Sequence, residues 1–356
     1  MSLAYSSRFL RRDHHQTCDE TRAAKLISPA STAASVDQAT VSRDTLAPGV
    51  SIRAGRWTGF GLDSDFQAQA ASPLPRLPPM TLSDASLDEL ARRALAEEEK
   101  DAAGEDTAWE AINELRRRGS QDVFERARSL VNSTVALERK LGFDVLGQLG
   151  LERPFREETV AILRTVLAAE SDAEVIAATL IAFGHLRDER GRPHLLALAA
   201  DEAPEIRRSV AWALPSCAVR DEDGKLVDQE ALTALIVLME DDDEDVRDWA
   251  TFAVGQLFDD DTPEVRAALA RRLSEPHEDT REEAICGLAR RHDERAIAPL
   301  IELLKGLPGS GALDAAEEMA DPRLIEGLEI ALQKGRDHLA RIESALACCR
   351  RSATSG

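Results

Sequence analysis

Aromatic residues are scarce in this chain, at 4% with a single tyrosine. Sheets draw on aromatic and β-branched side chains, so the shortage points away from strands. Abundant Ala, Leu, Glu and Arg point instead toward helices. No apolar run approaches the roughly 20 residues of a membrane-spanning helix; the longest is Ala231–Met239. The N-terminus, MSLAYSSRFLRR, lacks the apolar core of a secretory signal. It is basic and Ser-rich as transit peptides are, but Asp13, Asp19 and Glu20 weigh against that reading. Cysteines are few and odd in number: Cys18, Cys217, Cys286, Cys348 and Cys349. None forms Cys-x-x-Cys, and the adjacent pair suits neither an ordinary disulfide nor a zinc site. Reduced thiols in a cytoplasmic protein are expected. Positive charge is also short, since 44 Lys and Arg against 65 Asp and Glu leave a net charge of −21. Such a surface repels phosphate backbones, which argues against nucleic acid and leaves a protein partner with a basic surface, cations or simple solubility as its readings.

Motifs for chemistry are missing too. Gly59-Phe60-Gly61 has no following strand and no third glycine in register, and Gly306–Gly311 lacks the Lys-Ser/Thr of a phosphate loop. In the loop 219–230, Asp221, Asp223, Gly224 and Glu230 take the third, fifth, sixth and twelfth places of a calcium loop. Val219 stands where the first carboxylate must be, so a longer connection is expected. Asn132-Ser133-Thr134 is a sequon by spelling and is expected to act as a helix cap. The seven His are scattered. No cofactor, metal site or catalytic set is expected.

What is present begins with a contrast along the chain. Residues 1–79 hold nine Lys and Arg against seven Asp and Glu, a charge of +2 that leaves −23 for the rest. This stretch has no helical or strand period and ends in SPLPRLPPM, so a disordered or weakly ordered tail is expected over 1–79. Met80 opens the ordered module and is a candidate start codon. Capping boxes follow at Ser86–Glu89 and Thr107–Glu110, and Gly119 stands where a helix should stop after Arg116-Arg117-Arg118.

From there one pattern recurs in ERKLGFDVLGQL (138–149), VIAATLIAFGHL (175–186), IRRSVAWALPSC (206–217), VRDWATFAVGQL (246–257) and TREEAICGLARR (280–291). The small residues near their ends, Gly147, Gly184, Pro215, Gly255 and Ala289, are 37, 31, 40 and 34 residues apart, about the length of a two-helix repeat. Val246, Ala250, Ala253, Val254 and Leu257 form one apolar stripe. First helices are expected at 156–168, 193–199, 229–239, 263–273 and 295–305, with a degenerate closing pair at 322–349. The expected fold is all-α, an α-solenoid of stacked antiparallel helix pairs over 80–350, with a disordered C-terminus at 351–356.

The run V-R-x-x-A-x-x-A-L-G resembles the HEAT-like repeat of phycobilisome bilin lyases; VRDWATFAVGQL carries the likeness, which covers about residues 106–349. The resemblance implies that the recurring Arg139, Arg207, Arg247 and Arg281 pair with an acid in a neighbouring turn. It also implies that the second helices line the concave side. Deoxyhypusine hydroxylases, on similar repeats, place His-Glu pairs after the V-R positions; here those positions read Lys140-Leu141, Ala177-Ala178, Arg208-Ser209, Asp248-Trp249 and Glu282-Glu283. A similar DNA glycosylase needs a basic groove, against the −23 of this region.

The functional expectation is a cytoplasmic scaffold that binds another protein, with no membrane or nucleic-acid partner. The alternative is a bilin-lyase-like or other small-ligand enzyme on the same scaffold. Two features point to the contact surface. Arg208, Trp212, Asp248, Trp249 and Phe252 hold equivalent or neighbouring places on adjacent repeats, and aromatic and Arg side chains dominate binding hot spots; the alternative is that Trp212 and Phe252 pack between neighbouring repeats as core. Acids recur in the turns before the second helices, most densely at 240–245, which adds Asp241, Asp242 and Asp243.

Overall fold

The computed structural model describes residues 82–95, 107–149, 154–306, 308–334 and 338–355. The expected tail, residues 1–79, and Met80 lie outside them. Sixteen α-helices are found among the described residues: α1 Leu87–Leu95, α2 Thr107–Arg118, α3 Gln121–Val131, α4 Ala136–Leu149, α5 Arg156–Leu167, α6 Ala173–Leu186, α7 Arg192–Ala197, α8 Pro204–Cys217, α9 Gln229–Leu238, α10 Glu244–Phe252, α11 Pro263–Arg271, α12 Glu278–Ala289, α13 Ile297–Lys305, α14 Ser310–Met319, α15 Ile325–Lys334 and α16 Leu339–Ser355. No strand occurs among them, only an isolated antiparallel bridge between Arg220 and Leu226.

Odd and even helices alternate as antiparallel pairs, and each even helix from α2 to α16 packs on the even helix of the next pair. The small residues near the helix ends explain that stacking. A Cβ on Gly147 would stand 2.7 Å from the Cα of Ala182 on the following even helix, and one on Gly184 would stand 2.9 Å from the Cβ of Ala213. Gly287 faces Gly255 so closely that its Cβ would lie 2.7 Å from the Gly255 Cα. In each case the small residue of one repeat meets the position two before the equivalent small residue of the next. Bare backbone there lets neighbouring helices approach closely.

Local signals set the helix ends. Ser120, Asp172, Asp228, Asp243 and Thr262 each accept the amide of the residue three places on, and His277 does the same for Thr280. Gly119, at φ 48°, ends α2. Asn132 caps the end of α3 rather than a helix start. The even helix containing α10 continues as a π turn, Ala253–Leu257, closed by the Phe258 amide donating to the Ala253 carbonyl at 3.3 Å.

Two readings are corrected. No helix is expected from the sequence between residues 305 and 322, yet α14 lies there and pairs with α13, ahead of the final pair α15–α16. The Gly/Pro-rich run 306–311 hides that helix because it lacks the V-R signature. The last helix continues to Ser355, past the boundary expected at 350. The loop at 219–228 is, as expected, a longer connection between helices, folded as a short hairpin in which the Asp221 carboxylate accepts the amides of Asp223 and Lys225, with Gly224 at φ 77° in the turn.

Candidate functional site

The turns that precede the even helices form one margin of the stack. Arg139, Arg207 and Arg247, one turn into their helices, each bind in two directions. One guanidinium nitrogen, Nη1, donates to carbonyls of the arginine's own turn: Ser133 for Arg139, Asp201 and Glu202 for Arg207, Asp241 and Asp242 for Arg247, all at 2.8–3.2 Å. The other edge reaches the turn of the following repeat. Arg139 grips Glu170 at 2.9 and 3.2 Å, Arg207 grips Asp241 at 2.7 and 2.8 Å, and Arg247 meets Glu275 at 2.7 Å. The acid in each case lies three residues before the start of its even helix. The Arg139 hydrogen bond holds the Glu170 carboxyl below the usual range. Burial pushes Asp241 upward, and the hydrogen bonds from Arg207 and the Asp243 amide outweigh it.

The expected acidic residues therefore divide by role. Asp241 is half-buried in the ladder, Asp243 caps α10, and only Asp242 of the three is fully exposed. Around it, Glu174, Glu202, Glu244 and Glu278 are exposed at successive even-helix starts. No ion pair or side-chain hydrogen bond holds these four or Asp242 among the described residues.

Of the two readings of the aromatics, burial favours the core one: Trp212, Trp249 and Phe252 are 6%, 3% and 2% exposed, too little for a presented anchor. Trp212 lies edge-on to His185 at 4.9 Å, and Trp249 meets Phe252 at 5.9 Å. Asp248 is buried as well and accepts the Thr280 hydroxyl at 3.1 Å. Arg208 sits 3.7 Å from Asp245 and 4.0 Å from Asp243, distances of an ion pair without a hydrogen bond. A helical wheel sees one neighbour; here the even helix of the adjoining repeat covers the row that the wheel leaves open.

The opposite margin carries a motif the sequence reading missed. Asp188-Glu189-Arg190, Asp293-Glu294-Arg295 and Asp321-Pro322-Arg323 each open a repeat with the Asp accepting the amide two residues on and gripping that residue's guanidinium. The spacing Asp-x-Arg just after α6, α12 and α14 was its signal. Cross-repeat pairs bind this margin too: Arg156 with Asp188, Arg192 with Asp228 and Arg266 with Asp293. The Arg192 hydrogen bonds hold the Asp228 carboxyl at about 2.

Among the described residues, no group of three or more His, Cys, Asp or Glu is placed to hold a metal, and no helix is long and apolar enough to cross a membrane.

Residues 160–255 and 231–310 match the family model for HEAT repeats. No curated protein matches the chain. Among solved structures, YibA of E. coli is 25% identical with a TM-score of 0.55, over 76% of this chain and 94% of that one. An engineered protein is 19% identical with a TM-score of 0.45, over 74% and 78%. The complex of CpcE and CpcF of phycocyanin lyase from Nostoc is 15% identical with a TM-score of 0.41, over 78% and 99%.

Proposed function

We propose that this chain, a HEAT-like repeat protein, is a cytoplasmic protein-binding scaffold whose acidic turn margin takes a basic segment of another protein. The supporting observation is the division of labour among its carboxylates. Glu170, Asp241 and Glu275 are consumed by the arginine ladder, and Asp172 and Asp243 are consumed as caps. Glu174, Glu202, Asp242, Glu244 and Glu278 are exposed beyond what either role uses. Repeats bring these five to one edge at regular intervals, and like charges held there by the fold favour a cationic partner.

The test replaces Asp242, Glu244 and Glu278 together by Asn, Gln and Gln. A fluorescent Lys/Ser peptide of about nine residues serves as probe. Binding should weaken, and the salt dependence of what remains should flatten, while the thermal melt stays put. Neutralising Asp122, Glu326 and Glu343, exposed elsewhere, should change neither quantity. Equal losses from both triple variants would show only general attraction to an acidic protein and would sink the proposal.

A further inference from the structure

We infer that Arg281 is the receptor for a carboxylate carried by the partner, so that the margin reads a segment with a direction, basic along its length and acidic at one end. This rests on the margin being the partner surface. Arg281 is the fourth arginine of the ladder, and it makes only half of the ladder's bonds. Its Nη1 donates to the carbonyls of Glu275 and Pro276 at 2.7 and 3.3 Å, the same anchoring its three counterparts use. Its other edge meets no carboxylate among the described residues. The cause is legible in the sequence. The rung acids Glu170, Asp241 and Glu275 each stand three residues before the start of their even helix, and the residue three before α14 in sequence is Leu307, which carries no carboxylate.

The arrangement is preorganised. Nη1 anchoring orients the planar fork as in Arg139, Arg207 and Arg247, each of which presents its far edge to a carboxylate. Such a fork matches a carboxylate in bidentate geometry, and the half-buried side chain has already lost part of its freedom. The start of α14 is not itself the receptor. Glu282 Oε1 lies 3.5 Å from the position a Cβ on Gly309 would take, so that side is already faced by a carboxylate. Glu278, exposed in the same turn as Arg281's anchor, ends the row of free acids on this margin. Even helices spaced about 8–10 Å apart put about 16–20 Å between Glu202 and Arg281, which about five or six extended residues span.

The experiment uses the full chain and three labelled peptides of about nine residues with one Lys/Ser sequence. The first ends in a free α-carboxylate, the second in an amide, and the third in a glutamate with an amidated terminus. Wild type should bind the first or third about tenfold more tightly than the second, and which of the two wins identifies the source of the carboxylate. Arg281→Gln should erase the preference while leaving affinity for the amidated peptide within about twofold. Arg281→Lys, which keeps the charge and loses the planar fork, should reduce the preference without erasing it. If the acid-ended and amidated peptides bind wild type equally, the receptor assignment fails and the basic-segment reading stands. If no peptide binds, that reading falls and takes the assignment with it. A preference that survives in Arg281→Gln places the receptor elsewhere and overturns the inference.

Discussion

Arg291 is only 5% exposed, yet no carboxylate pairs with it among the described residues. Its five donors go to main-chain carbonyls instead: Val254, Gly255, Phe258, Asp260 and Gly287, at 2.7–3.1 Å. Four of these belong to the end of the π turn and the residues after it, where helical carbonyls lack partners of their own. Burial, then the neighbouring Arg290, lowers the Arg291 pKa to about 10, so the guanidinium stays charged at neutral pH. Arg291→Met should lower stability by about 3 kcal/mol or more, because buried carbonyls left without a donor each cost about 1–3 kcal/mol. Arg291→Lys should recover only part of that. Urea denaturation checks both, and an unchanged midpoint for the Met variant would mean that water replaces the lost donors.

Left-handed residues give an effect of opposite sign. Arg187, His292 and Ala320 hold φ of 49°, 49° and 48° just before the three Asp-x-Arg turns. A side chain costs roughly 1–2 kcal/mol in that conformation, and glycine adopts it freely. Ala320→Gly should therefore raise the melting temperature by an amount equivalent to about 1 kcal/mol. A lower melt would show that the methyl group's packing, or the entropy of an unfolded glycine, outweighs the strain. The fate of Trp212 and Phe252 shows where residue-level inference from sequence stops. Their spacing by repeat was readable and correct. Their burial was decided by a helix about 30 residues away, whose approach depends on Gly184 and the alanine it meets.

That approach is the main lever among the elements. A Cβ on Gly184 would lie 2.6 Å from the Trp212 ring and 2.9 Å from the Ala213 Cβ. Gly184→Ala should cost about 1–3 kcal/mol by forcing α6 and α8 apart, read as a lower chemical-denaturation midpoint. A wild-type midpoint would mean that the ring alone can yield. Most elements were readable because capping, apolar period and small residues agreed: the five second helices fall where the repeated segments put them. The helix α14 was unreadable for a local reason. Its start is Gly-Ser-Gly, its ladder position holds Leu313 and no acid stands three residues before it, so the V-R signature and the preceding acid are both absent. Tertiary packing between α12 and α16 supplies what its own sequence does not.

For the molecule as a whole, ion pairs within and between repeats make stability depend on acid. Glu114, Glu170, Asp188, Asp228, Asp241 and Asp293 are all held below their usual values, by hydrogen bonds from Arg117, Arg139, Arg190, Arg192, Arg207 and Arg295 respectively, with burial opposing. A carboxylate depressed in the folded state contributes stability above its unfolded pKa of about 4. That contribution is lost as pH falls through the folded value. The urea midpoint should thus fall most steeply between about pH 4 and about pH 2, Asp228 and Glu114 titrating at about 2. A midpoint that fell mainly between pH 7 and 5 would place the dependence on histidines instead.

The unequal stitching of the two margins has a mechanical meaning. Along one margin, cross-repeat ties run without interruption from Arg156–Asp188 through Arg192–Asp228 and Gln229–Asp260 to Arg266–Asp293 and Arg323–Glu294. Along the other, the ladder has gaps: Ile176 takes the arginine's place in α6, and the far edge of Arg281 meets no carboxylate among the described residues. A strip sewn continuously on one side and with gaps on the other has a preferred plane of flexure, with the sewn side as its spine.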